Sequence, residues 1–281
     1  MSEHEVNPIK IRARLLLHEI SIWTRYDLAT SFKSPILEGV FFILLAGTLI
    51  PALLGIQKYW IPFVTSFDGI DSDILKTIEI FSKDFSTVTL LSSLFSVGQL
   101  AIFIIPLLLS FSFAQTLEDG SIRTLLSYPI KRSRFLTVKF ALPVIFTAGI
   151  SSICSLGINY LLIPGNKDLE VFMLSIVFLW LLISLVTVCT ILIGILTRNA
   201  VLTLVFGSGV WFLGNSFIVT SSETSIILRG LFSPMTVMLE YVSQGFNAPT
   251  ISDIYILLSV FPILIMLISA VSYVLFRRIE L

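Results

Sequence analysis

The sequence predicts an all-α integral membrane protein with six transmembrane helices, an interfacial helix ahead of them, and both ends on the cytoplasmic side. Three observations carry this. Of 281 residues, 56% are hydrophobic and only 13% charged, against roughly a quarter charged in soluble domains, and mean hydropathy is +0.97. Six apolar runs reach or approach the ~20 residues that a helix needs to cross ~30 Å of hydrocarbon. Lys and Arg gather in alternate connections between those runs.

The N-terminus lacks a compact apolar stretch ahead of a small-residue cleavage site, so a signal peptide is not expected. Residues 9–28 are amphipathic instead. Lys10, Arg14, His18, Ser21 and Arg25 share one helical face, and Ile9, Ala13, Leu16, Ile20 and Trp23 another. A basic face opposite a Trp/Leu/Ile face suits a helix lying in the membrane interface; a soluble helix packed on a partner is the alternative.

The spans are expected at about 36–56, 88–114, 140–163, 171–196, 200–220 and 254–276. They must be helices, because lipid offers no partner to an unpaired backbone amide. Prolines 106, 143 and 262 fall inside them, which neighbouring helices and Ser/Thr hydroxyls can accommodate. Cys154 and Cys189 lie in apolar runs and are expected as small core hydrophobes.

Orientation follows from the positive-inside bias. With the N-terminus inside, Lys10, Arg12, Arg14, Arg25, Lys33, Arg123, Lys131, Arg132, Arg134, Lys139, Arg198, Arg277 and Arg278 are cytoplasmic, thirteen of the 18 Lys and Arg. Lys58, Lys76, Lys83, Lys167 and Arg229 are outside. Residues 57–87 and 221–252 are thus outer loops and 116–139 is inner. Within 57–87, Ile74, Ile78, Phe81 and Phe85 recur at helical spacing, so a short amphipathic helix is expected there. Residues 224–246, broken by Arg229, Pro234 and Glu240, are expected as paired short helices rather than a seventh span.

Several chemistries are missing. No G-x-x-x-x-G-K-[ST] loop occurs, so the chain has no phosphate cradle of the usual kind. Both histidines, His4 and His18, precede the first span, which leaves no intramembrane zinc site built from His. Glu38 sits at the cytoplasmic entrance of the first span, and no acid or base occupies a bilayer midplane, where ion-coupled carriers usually need one. The expectation is a non-enzyme with no catalytic residue, no metal site and no cofactor of its own, and no nucleic-acid partner. Gln99, Asn159, Asn215 and the many Ser and Thr in the spans are expected as interhelical hydrogen-bond glue, worth ~0.6 kcal/mol each. Gly207 and Gly214, on one face of the fifth span with Thr203, mark a close-packing face, either within the chain or across a dimer.

The most informative inner segment runs from Leu117 to Lys139. Gly120 should end the helix descending from the second span, Ser121 can cap a new short helix, and Pro129 should stop it. Ile122, Leu125 and Leu126 give that helix an apolar face. A helix so short is not stable alone, so it either docks on a partner or dips into the headgroups beside its basic cluster.

Glu118, Gly120, Ser121, Ile122, Leu125, Leu126, Ser127, Pro129, Ile130, Arg132, Phe135 and Lys139 stand where E-x-G-[ST]-[IL]-x-x-L-L-[ST]-x-P-[IV]-x-R-x-x-[FI]-x-x-x-K stands in ABC-2 type transporter permeases. The chain resembles that family, nearest its six-span, NosY-like group. Leu231-Phe-Ser-Pro234 is similar to a common element of its last outer loop, while Val138 replaces a frequent Gly. The resemblance implies one transmembrane domain over 1–281, with an elbow helix at 9–34 and a coupling helix at 117–128. It implies a permease subunit, mostly for export, in the cell membrane of a prokaryote, bound to lipid, to a second permease copy and to separate ABC ATPase subunits that hold ATP-Mg. In that setting Glu118, Gly120, Ile122, Arg123, Leu125 and Leu126 would dock on the ATPase. Gly207 and Gly214 would mark the fifth span as lining a pathway between protomers. An ion-coupled secondary carrier and a noncatalytic membrane scaffold are the alternatives. No residue selects a substrate.

Overall fold

The computed structural model describes residues 36–55, 72–127, 132–162, 169–216, 225–243 and 249–279, with a few helical positions between 18 and 25. The interfacial or elbow helix at 9–34 therefore lies outside the described residues, apart from those few. Among the described residues the chain is all helical. Its elements are α1 (Ile36–Gly55), α2 (Ser72–Leu109), a π-helical turn (Ser110–Ala114), α3 (Gln115–Glu118), α4 (Ile122–Ser127), α5 (Arg132–Leu162), α6 (Leu169–Thr197), α7 (Ala200–Gly214), α8 (Ile226–Phe232), α9 (Pro234–Ser243) and α10 (Ile251–Arg278).

Four helices among the described residues are long and apolar enough to cross a membrane: Thr87–Glu118, Arg132–Ile158, Leu169–Thr197 and Ile251–Arg278. The chain is a multi-pass helical membrane protein on that ground. Two of the six expected spans are shorter, Glu38–Leu54 in α1 and Ala200–Gly214 in α7. The 15 residues of α7 rise about 22 Å at ~1.5 Å each, less than a hydrocarbon core of ~30 Å, so six full crossings are not established. The end of the expected fifth span, 217–220, lies outside the described residues.

The second span differs from expectation in extent. The amphipathic stretch over 74–85 is not a separate helix but the first turns of α2, which runs unbroken from Ser72. No proline interrupts the ladder before Pro106, and 38 residues rise about 57 Å, so several turns project beyond the ~30 Å core. The third span likewise begins at Arg132 rather than near 140. The sixth begins at a capping box in which the Thr250 hydroxyl and the Asp253 carboxylate bond each other's backbone N–H. The 224–246 segment forms the two expected short helices, α8 and α9, which meet at Ser233–Pro234.

At the centre stands α6, packed against α2, α5, α7, α9 and α10, while α2 also packs on α1, α5, α7 and α9. In α10 only 17% of the apolar window is buried, against 44–61% in the other three long helices, which places it at the periphery. One core cluster joins these elements through side chains such as Leu44, Leu94, Ile105, Phe178, Met238 and Phe261.

The hydroxyls correct one expectation. Instead of bridging helices, Thr48, Ser93, Ser151, Ser175, Thr187 and Thr190 donate to carbonyls three or four residues back in their own helices, at 2.6–2.8 Å. A hydroxyl in apolar surroundings satisfies itself most easily on its own helix. Trp180 is an exception, donating from α6 to Ser152 of α5 at 3.0 Å.

The small residues of α7 pack against neighbouring helices of the chain. A Cβ on Gly207 would lie 3.1 Å from Pro106 of α2 and 3.3 Å from Thr190 of α6, and one on Gly214 would run into the Phe232 ring of α8. Both glycines serve close packing within the chain, and the side of α7 that carries Val201, Val205, Phe206 and Phe212 is exposed. We expect Gly214→Ala to destabilise the protein by about 1–3 kcal/mol through overpacking. Gly209→Ala, which meets nothing within 4 Å, should be neutral or gain up to about 1 kcal/mol of helix propensity. Thermal unfolding of the purified variants checks both.

Candidate functional site

The candidate site lies at the basic end of the bundle, where the chain turns from α2 into α5. The turn begins inside the helix. Pro106 lacks an N–H, and four residues later the ladder widens into the π-helical turn Ser110–Ala114, a local feature that recurs at functional positions. Ser110 and Thr116 hydroxyls donate to the carbonyls of Leu107 and Phe113. The Ser112 carbonyl receives the Lys139 ammonium at 2.7 Å. Lys139 is 3% exposed and stands 5.5 Å from the Phe135 ring centre. Lys139, read from the sequence as a cytoplasmic basic residue of the 116–139 segment, is thus held inside the protein, where a buried cation persists because it is hydrogen-bonded.

Glu118 closes the helix, and Gly120 reverses the chain with φ +68°, a left-handed conformation in which glycine is unstrained. The Arg123 N–H then bonds the Gly120 carbonyl at 3.1 Å as α4 begins. The Ser121 hydroxyl donates back to the Thr116 carbonyl at 3.4 Å.

The Glu118 carboxylate bridges to another part of the chain. One oxygen accepts from the Asn199 side-chain amide at 2.9 Å and the other from the Ala200 N–H at 2.8 Å. Asn199 is the N-cap of α7 and accepts from the Leu202 N–H at 3.0 Å. Glu118 thus sits at the positive end of α7, where a carboxylate is favoured, and holds the residue that caps it. The link from α6 to α7 is only Arg198 and Asn199, with Arg198 at φ +48°, an uncommon conformation for a residue with a side chain.

Arg132 makes a similar bridge at the start of α5. Its guanidinium donates to the carbonyls of Arg277 and Ile279 at 3.3 and 3.1 Å, satisfying the end of α10. Beneath lie three rings, Phe113, Phe135 and Phe276, with centres 6.0–6.3 Å apart. Each is at most 1% exposed.

The six expected docking residues part company here. Glu118 is bound to α7, and Gly120 makes the turn. Arg123 is exposed. Ile122 is 1% exposed and belongs to the core cluster, so its side chain is turned into the protein rather than outward. The side chains of Leu125 and Leu126 lie outside the described residues. A cleft of about 390 Å³ opens between Glu118, Asp119, Arg123 and Arg198, with Ile122 and Ile279 beneath.

Sequence reasoning missed the roles of Asn199 and Arg198 at this site, and read Arg132 as a basic and motif residue without its bridge to α10. Asn ahead of an apolar run is an N-cap signal and could have marked Asn199. Nothing local announces that Arg132 meets a carbonyl 145 residues away. Glu118→Ala should cost about 0.5–1.5 kcal/mol, because the Asn199 amide and the Ala200 N–H lose their acceptor while Asn199 still caps Leu202. Faster amide hydrogen exchange over 199–203, with 87–105 unchanged, is the expected readout.

Comparison with protein-family models and with curated proteins returned no match for this chain.

Proposed function

We propose that the chain is the permease subunit of an ABC-2 type transporter, working as an exporter in a prokaryotic cell membrane and driven by ATP hydrolysis in a separate subunit. The basic end of the bundle is then cytoplasmic, and α1 and α7 complete six crossings. The observation that supports this reading is the double bridging of segment 117–132. The short helix α4 hangs between α2 and α5, Glu118 ties its entry to the start of α7, and Arg132 ties its exit to the end of α10. A partner that pushes on α4 therefore acts on four spans at once, which is what a chain without a motor of its own requires.

The partner would meet Arg123 and Thr124, which are exposed on α4, together with the cleft at Glu118, Asp119 and Arg198. ATP-Mg would bind in that partner, not in this chain. A second permease copy would face the exposed side of α7 rather than its glycines. Purification of the chain from its own cells in mild detergent should bring down an ATP-hydrolysing subunit. An ion-coupled carrier would instead work without ATP and stop when the ion gradient collapses, and a scaffold would move nothing in liposomes.

A further inference from the structure

Away from the cleft, residues of α5, α6 and α10 line a partly open groove of about 240 Å³. Its floor is apolar, made by Val188 and Ile191, each 3% exposed. Its walls are lined with hydroxyl-bearing residues: Ser133 and Thr137 on α5, and Ser269, Ser272 and Tyr273 on α10. Ser272 is 3% exposed, and its hydroxyl is buried without a hydrogen-bond partner among the described residues. Among the described residues most other helical hydroxyls satisfy themselves on their own backbone; Ser112 and Thr147 do not, but Ser272 differs from those two in lining a groove, where an outside acceptor can complete it.

Size and charge narrow the occupant. The groove exceeds the ~150 Å³ that holds one benzene but falls short of the ~300–1,000 Å³ of a pocket for a drug-sized molecule. It fits part of a single chain, with the rest of the molecule outside. Arg277 does not itself line the groove, but it lies one turn beyond the groove residue Tyr273 on the same helical face of α10 and is exposed. An apolar slot that leads to hydroxyls and then to a cation matches an acyl chain, a glycerol ester and a phosphate in that order.

We propose that this groove is a specific site for one anionic phospholipid of the cytoplasmic leaflet, with its acyl chain against Val188 and Ile191, its ester region at Ser272 and Tyr273, and its phosphate at Arg277. The leaflet rests on the orientation given under Proposed function; the site itself does not depend on the ATPase. The test is native mass spectrometry of the full chain in mild detergent, with phosphatidylglycerol and phosphatidylcholine of identical acyl chains added in equal amounts. The wild type should retain phosphatidylglycerol about fivefold over phosphatidylcholine, the share expected of one basic residue, and Arg277→Gln should abolish that preference. Thr137→Phe, at an exposed position, should fill the groove and lose both lipids; Ser269→Leu provides the same block should Thr137→Phe fail to fold. Equal retention of the two lipids by the wild type would overturn the proposal. So would wild-type retention in the blocked variants, or a blocked variant that alters only the oligomeric state, which would show a second copy covering the groove. ATPase copurification measured on the same variants separates the two readings: lipid retention without an ATPase leaves this site standing and removes the transporter assignment, and the reverse removes only the site.

Discussion

Phe135→Ala should lower the stability of the protein by about 3 kcal/mol, the lower end of the range for a buried Phe→Ala change. The lower end applies because lipid is as apolar as the helix interior, so lost packing and the cavity remain while the transfer term shrinks. Phe135 is 1% exposed, stacks on Phe276 at 6.0 Å with planes 14° apart, and stands 6.3 Å from Phe113. Its ring also faces the Lys139 ammonium, so truncation loosens α2, α5 and α10 together. Phe111→Ala, one residue into the π-helical turn but 60% exposed, should change stability by less than about 0.5 kcal/mol. Thermal unfolding of the two variants in one detergent reads the contrast. Equal effects would mean that the aromatic trio does not hold this end of the bundle.

The helices themselves were legible in the sequence because lipid imposes one rule everywhere: an apolar run of sufficient length must be helical. Their ends were not. The third helix starts at Arg132 rather than near 140, since hydropathy stops at the first charge while a helix continues wherever its polar side chains find carbonyls. Arg132 and Lys139 both do so. The fusion of 74–85 with the second span was hidden for the same reason, as composition changes there and the backbone does not. At the candidate site, Gly120 and the short helix after it could be read from local turn chemistry. The side that Ile122 presents could not, because a three-residue apolar pattern looks the same whether it faces a partner or the chain's own core. Gly207 and Gly214 marked close packing correctly but carried no sign of which helix packs on them; Pro106 and Phe232 do, and only the fold brings those together.

The most direct test of the transporter assignment is the amount of ATP-hydrolysing subunit that copurifies with the permease, compared between wild type and Arg123→Glu/Thr124→Glu. Both positions are exposed on α4, so the double change should leave the protein folded, which thermal unfolding reads. At a docking surface the same change reverses one charge and inserts another. Each should cost roughly 2 kcal/mol or more once the partner strips its water, and together they should weaken the complex on the order of several hundredfold. Lys131→Gln is the control: on the topology-only reading of the basic cluster it should keep wild-type binding. The account predicts a stoichiometric ATPase with the wild type and with Lys131→Gln, and a trace with the double variant. A double variant that folds normally and still brings down as much ATPase as the wild type, or a wild type that brings down none, would contradict it.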